Sequence, residues 1–546
     1  MAPKFLECNI CANQQPYEPF VPAVCKNCES QWLEARYDYD AFKRELLRGL
    51  PGRPLNMWRY QDILPLNNPS AIDLYPAGGT PLWLSQRYAP GLGHTQVYIK
   101  DERYGPTSSF KDRQAAGAVA SMVECGVREA IIASTGNAAA AYAAACARAG
   151  IKLWVFMTSL VPQEKLREAA LFGAEVIRVS GNYDQTKQIA SQFAQRRRLM
   201  LDRGATSIPA REAMKTIAYE IVEQLGWRAP DWYIQPVSGG LGPLGVYQGF
   251  KELYSMGLIS QIPKLGVIQA EGCAPMVNAF KAGKAEAASV IPDTRIIVLS
   301  TGDPGKAYNY LWYLTQQYGG VMESVTDAEA FAAMRALAKS EGMAVEPATS
   351  VGFAGLEKLL TNGTIKPDEL VVINCTGHTF PVEKHVIGDQ WAVDVHLSED
   401  QAPAPREGLQ AALENLDEKT TTVLLIDDNP DDALLIRRLL EGKKAYRVLH
   451  AKDGWEGLSM ARQQLPDLIV SDLTMPGIDG FGLVEELKLD PRTKDIPVVV
   501  VSAKDITSDE RKRLNGHIEA LYQKGSLPPR KFVDQVIQVI EEKNGE

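Results

Sequence analysis

From Gly78 to Gly181 short apolar runs alternate with helical stretches, and that alternation is the strongest constraint on how this chain can fold. TQVYIKDE precedes a helix opening at Lys111, EAIIAST precedes one opening at Asn137, and KLWVFMT precedes QEKLREAALFG, which leads into AEVIRVSG. Strands joined through helices call for a parallel α/β sheet covered by helices on both faces. An open sheet of that kind takes its ligands beyond the C-terminal ends of the strands. Ser134, Ser238 and Thr376 fall at such ends, so chemistry is sought there first.

Lys111 sits in TSSFKDRQAA, residues 107 to 116, after a turn of small hydroxyl residues and an aromatic. A lysine amine reacts only when unprotonated, and a partly desolvated site lowers its pKa enough for Schiff-base chemistry with a carbonyl cofactor. Downstream, Ser134-Thr135-Gly136-Asn137 opens an alanine-rich helix, where small side chains and free N–H groups suit an anionic ligand. The run VSGGLGPLG follows the strand DWYIQPV and lets the backbone of Ser238, Gly239, Gly240, Leu241 and Gly242 approach a phosphate. A fourth piece, Thr376-Gly377, lies in the strand exit VVINCTGH.

These pieces in this order, with GGTPL at Gly78 to Leu82, KDE at Lys100 to Glu102 and SFKDR around Lys111, resemble the fold type II pyridoxal-phosphate enzymes, threonine synthases in particular. The resemblance covers about residues 1 to 390 and implies two open α/β subdomains. It implies that Lys111 is the catalytic residue and carries pyridoxal 5'-phosphate, and that Asn137 hydrogen-bonds the pyridine hydroxyl. Ser238 to Gly242 then hold the cofactor phosphate, and Thr376 faces the pyridine nitrogen. Ser134 and Thr135 bind the carboxylate of a small amino-acid substrate. The implied lyase reaction converts O-phosphohomoserine and water to threonine and phosphate, in a homodimer.

One segment departs from that family. Its usual Asn-Pro-x-Arg-x-x-Gly-Gln-Lys-Thr pattern is replaced here by Ser207 to Thr216, leaving Arg211 and Lys215 as candidate contacts to the substrate phosphate. STGDPGKAYNYLWYLTQQYGG, residues 300 to 320, has no clear counterpart, whereas EPATSVGFAGL at Glu346 to Leu356 restores the match. Alternative activities are therefore a serine/threonine ammonia-lyase or a cysteate-synthase-like β-replacement. From another class comes a signalling protein whose cofactor-binding part no longer turns over.

Cys8-x-x-Cys11 and Cys25-x-x-Cys28 form two knuckles separated by thirteen residues. Four thiolates so spaced can share one tetrahedral zinc, which with no open ligand position is structural. Cys125, Cys146, Cys273 and Cys375 lie singly in apolar segments and read as small core residues.

At 546 residues the chain exceeds one hydrophobic core. The expected division is 1–35 zinc knuckles, 36–395 catalytic domain, an acidic Ala- and Pro-bearing linker at 396–420, and a second module at 421–546. A net charge of −9, with no basic stripe, argues against nucleic acid as a partner. No apolar run reaches the length of a membrane span and no signal sequence opens the chain, so a cytoplasmic location is expected.

The second module contains five short apolar strands, in TTVLLIDDNPDD, YRVLHAKDG, LPDLIVSDLTMPGIDG, IPVVVVSAKD and EALYQKGS. Asp427 and Asp428 end the first, Asp472 the third, Ser502 the fourth and Lys524 the fifth. Three clustered carboxylates repel one another unless a hard cation sits among them, which points to Mg²⁺ at Asp427, Asp428 and Asp472. The module resembles the flavodoxin-like (βα)5 receiver domain of response regulators. That likeness implies Asp472 as phosphoacceptor, Ser502 and Lys524 as the switch pair, and a sensor histidine kinase or phosphotransfer protein as donor. Gly525 stands where that family more often has proline. Leu521 replaces a frequent aromatic, so the usual aromatic readout is not expected here.

Overall fold

The structure, a computed structural model, describes residues 3–19, 24–67, 75–134, 136–159, 161, 163–378, 392–395, 421–441, 446–502, 507–514, 516–523, 533 and 535–539. The chain divides into two compact units, Met1–Ala402 and Pro403–Glu546. The expected linker, 396–420, lies outside the described residues, as do Thr135 and Lys524.

The first unit contains two open sheets, as the family resemblance implies. One runs Ala392–Val395, Glu175–Val179, Lys152–Thr158, Glu129–Ser134 and Met200–Asp202, all parallel. The other runs Gly320–Val325, Lys264–Ala270, Trp232–Pro236, Val371–Cys375, Val97–Asp101 and Leu82–Leu84, parallel except for its last pair. The helix Tyr183–Arg197 stops at Arg198. Arg198 turns into the left-handed region (φ 52°), and Met200–Asp202 follows as an edge strand too short to show a period.

Strand residues are buried on both faces, since helices cover each side. Alanine dominates the helix Asn137–Ala149, and its small side chains let it pack closely between Lys111–Glu124 and the sheet beneath. The helix Tyr183–Arg197 starts at a capping box, with Asn182 accepting from the Gln185 N–H and the Gln185 side chain accepting from the Asn182 N–H. A small antiparallel sheet, Gln14–Gln15, Phe5–Cys8 and Leu33–Arg36, carries the four N-terminal cysteines.

The second unit is one parallel sheet in the order Arg447–Ala451, Thr422–Ile426, Leu468–Asp472, Val498–Ser502, Ala520–Gln523. In chain order this is 2-1-3-4-5, the doubly wound arrangement whose ligands gather at the carboxyl edge. Among the described residues no helix is long and apolar enough to cross a membrane.

Candidate functional site

Lys111 is the first residue of the helix Lys111–Glu124, and its position is set by the residues around it. The Phe110 N–H donates to the Thr376 carbonyl at 3.0 Å, and Ser109 bridges to Gly377. The exit of strand Val371–Cys375 is thus tied to the start of the lysine helix. Asp112 turns inward, accepting from the Thr107 N–H at 3.0 Å, the Thr107 hydroxyl at 2.6 Å and the Tyr75 hydroxyl at 2.9 Å. Burial raises its carboxyl to about 6 despite those bonds.

The three motifs GGTPL, KDE and SFKDR converge behind the lysine on one buried carboxylate, Glu220. Arg113 donates to Glu220 at 2.6 Å and to Glu102 at 2.7 Å, and Lys100 reaches Glu220 at 2.7 Å. The Gly79 N–H adds a bond to Glu220 at 2.9 Å, and Thr80 bonds Glu102 at 2.6 Å. Arg113 and Lys100 hold the Glu220 pKa well below the carboxylate range against the effect of burial. The network is a rigid backing for the residue in front of it.

Lys111 itself is half-buried and opens on a cavity of about 510 Å³. Burial lowers its amine to about 8, opposed by the negative charge of Glu346. The cavity is also lined by Ser134, Asn137, Ser238 to Gly242 and Thr376. Every described residue singled out in the amino-terminal part for catalysis or cofactor binding therefore meets in one place.

Ser134 is buried, and its hydroxyl accepts from the N–H groups of Gly136 and Ala139, both at 3.1 Å, so it caps the helix it precedes. Gly240 has φ +88° at the start of helix Leu241–Ser255. A Cβ on Gly242 would come within 2.2 Å of the Gln235 amide nitrogen, whereas one on Gly239 would meet nothing within 4 Å. Glycine is thus needed for close packing at Gly242 and leaves open space at Gly239. The cradle fits an anionic group seated against backbone N–H groups at a helix start. Together with the low-pKa amine, this donor set fits pyridoxal phosphate.

Arg211 and Lys215 are a correction. Lys215 is fully enclosed and bonds Glu212 at 2.6 Å and Glu252 at 3.1 Å. Arg211 is buried and donates to the Leu33 carbonyl, and neither residue lines the cavity. Among the described residues, the cations that do line it besides Lys111 are Lys187, Arg203 and Lys306.

Two further groups at the site have no role assigned from the sequence. Glu346 is buried, with both carboxylate oxygens 2.8 Å from Asn137 Nδ2. Burial raises its pKa, while Lys165, Asn137 and Lys111 act against the rise. Its segment EPAT carried the only hint, as part of a helix. Thr301, whose hydroxyl lies 2.5 Å from that of Ser238, comes from the stretch without a family counterpart. Thr376 hydroxyl is itself held at 2.8 Å from Thr349.

Cys8, Cys11, Cys25 and Cys28 place their sulfurs within 4.8 Å of one another, so the donor set fits one tetrahedral metal. The Ile10 and Asn27 N–H groups turn toward Cys8 and Cys25, both at 3.4 Å, as short knuckles allow. In the second unit, carboxylate oxygens of Asp427, Asp428 and Asp472 also lie within 4.8 Å of one another, with Asp428 exposed. Ser502 ends the neighbouring strand and is buried. This donor set fits a hard divalent cation.

Residues 74–377 match the family model described as pyridoxal-phosphate dependent enzyme, and residues 423–529 match the response regulator receiver domain. The chain belongs to the pyridoxal-phosphate-dependent enzyme family. A threonine synthase of Methanocaldococcus jannaschii is 39% identical over 365 residues, 66% of this chain and 89% of that protein. A threonine synthase of Methanosarcina acetivorans is 35% identical over 368 residues, covering 67% and 89%. Maize serine racemase shares the fold of this pyridoxal-phosphate enzyme, with a TM-score of 0.50 at 18% identity over 63% of this chain and 94% of its own. The chain is thus a threonine synthase-like pyridoxal-phosphate enzyme carrying a receiver domain.

Proposed function

We propose that the first unit is a lyase that converts O-phosphohomoserine and water to threonine and phosphate. The observation that carries this reading is the Lys111 amine, brought to about 8 by burial and facing the glycine loop across one cavity with Asn137 and Thr376. The 39% and 35% identity to threonine synthases supports the choice of substrate. Pyridoxal phosphate, when bound, supplies an electron sink for charge developing beside the substrate amine.

Lys111 holds the cofactor covalently and, once released, takes the Cα proton and returns it. Ser238 to Gly242 hold the cofactor phosphate, Asn137 the ring hydroxyl and Thr376 the ring nitrogen. Ser134 and Thr135 orient the substrate carboxylate. With Arg211 and Lys215 withdrawn, the substrate phosphate faces the cavity cations Lys187, Arg203 and Lys306. The net change breaks the Cγ–oxygen bond to release phosphate and puts a hydrogen on Cγ in its place, while Cβ gives up one hydrogen and takes the hydroxyl of water. Equal release of phosphate and threonine from O-phosphohomoserine tests the assignment, and keto-acid formation from threonine overturns it.

A second reading, β-replacement or ammonia loss on a substrate lacking phosphate, is favoured by one observation: of the two basic residues nearest the family's phosphate-binding pattern, Lys215 is sealed in ion pairs with Glu212 and Glu252 and Arg211 is buried against the Leu33 carbonyl.

In the second unit Asp472 accepts a phosphoryl group from a sensor histidine kinase or phosphotransfer protein. Asp427, Asp428 and Asp472 hold Mg²⁺, and Ser502 and Lys524 respond to the added charge. Phosphorylation then alters catalytic rate or assembly of a homodimer. The cysteine quartet holds structural zinc.

A further inference from the structure

Ser30, Gln31 and Trp32 connect the second cysteine knuckle to the strand Leu33–Arg36. Gln31 and Trp32 also line the cavity that contains Lys111. The cysteine lobe therefore reaches the site itself.

Several contacts fix this part of the lobe. The Trp32 indole stacks on Tyr310 with ring centroids 4.8 Å apart and planes inclined by 17°. The Trp32 N–H donates to Ser30 Oγ at 3.1 Å, and its carbonyl accepts from the Asn9 N–H at 3.0 Å. Asn9, between Cys8 and Cys11, donates its side-chain amide to the Tyr310 hydroxyl at 2.7 Å. Tyr310 belongs to the helix Lys306–Tyr318, whose first residues line the same cavity. Beneath them buried Glu34 accepts from Lys251 at 2.7 Å and from the Tyr310 hydroxyl. The first knuckle, Trp32 and the cavity helix form one packed unit, so a shift of the knuckles moves the wall.

We propose that the four-cysteine lobe is a wall of the catalytic cavity, on which Gln31 and Trp32 position the substrate. The inference rests on the reading of this cavity as the cofactor and substrate site. Gln31 is exposed, and its amide has donors for a substrate carboxylate or phosphate oxygen. Trp32 is buried and lines the cavity beside Gln31. Both are positioning residues, distinct from the group that moves protons. A purely structural lobe would owe nothing to the identity of an exposed Gln31.

The test uses the full chain loaded with zinc and pyridoxal phosphate, comparing wild type with Gln31→Ala and Trp32→Phe. In Gln31→Ala, KM for O-phosphohomoserine is expected to rise about two- to tenfold with kcat little changed, as loss of one hydrogen bond implies. Independently of substrate, cofactor emission excited through tryptophan should fall in Trp32→Phe and persist in Trp83→Phe, whose ring does not line the cavity. If wild type releases no phosphate from O-phosphohomoserine, the substrate assignment fails while the emission comparison still decides the wall. Unchanged KM in Gln31→Ala together with unchanged emission in Trp32→Phe overturns the inference.

Discussion

Asn137 and Glu346, 209 residues apart, are joined by the amide nitrogen of one lying 2.8 Å from both carboxylate oxygens of the other. The amide is thereby locked with its oxygen directed away from the carboxylate. Glu346 is in turn fixed by its N–H, which donates to the Gly377 carbonyl at 3.1 Å. Glu346→Gln removes the charge that selects this orientation and permits the reverse one. Retention of pyridoxal phosphate should weaken by about 1–3 kcal/mol, the cost of leaving a buried polar group badly matched. Equilibrium dialysis against the cofactor measures it, and unchanged affinity would remove Glu346 from the site.

Behind Lys111, Glu220 answers two buried cations, Arg113 and Lys100. Glu220→Gln leaves positive charge enclosed without its counter-ion, so the first unit should lose about 3–5 kcal/mol of stability. Urea unfolding followed by fluorescence of the bound cofactor reports on that unit, while labelling of the receiver domain by a phosphodonor should be unaffected.

A third expectation concerns pH. Only the neutral lysine amine attacks an aldehyde, and burial lowers Lys111 to about 8 from its ordinary value near 10.5. Recombination of cofactor-free protein with pyridoxal phosphate should therefore quicken as pH rises and reach half its maximum rate near pH 8. An exposed lysine would continue to gain reactivity beyond pH 10. Stopped-flow absorbance across pH 6 to 10 separates the two.

These expectations depend unequally on what a reader of the sequence can see. Lys111, the glycine loop and Thr376 were legible because chemistry at strand ends leaves local marks: a small-residue turn, a glycine run, a polar residue after an apolar strand. The cysteine quartet was legible for the same reason. Glu346 was not, because its role exists only through Asn137, and nothing within its own helix records that partner. Arg211 and Lys215 misled because a basic pair at a helix start looks alike whether it faces a ligand or, as here, a backbone carbonyl and buried carboxylates. Glu252, which neutralises Lys215 from 37 positions away, decides the matter and only folding brings it near. Trp32 carries no mark in the sequence, because only the fold brings the residues after the second knuckle to the edge of the cavity.

The receiver adds a fourth expectation. Asp472→Ala should abolish labelling by a small phosphodonor in the presence of Mg²⁺, and so should chelation of the metal. If phosphorylation governs the enzyme, steady-state rates of wild type should differ with and without phosphodonor, whereas those of Asp472→Ala should not. Identical wild-type rates and assembly under both conditions would confine the receiver to docking.

The central claim is that one amine in the large unit carries the cofactor. Borohydride reduction of the yellow protein, followed by peptide mass spectrometry, tests it most directly. The expected result is a pyridoxyl label on Lys111, lost in Lys111→Ala. A label on another lysine, or none on protein saturated with cofactor, would contradict the account.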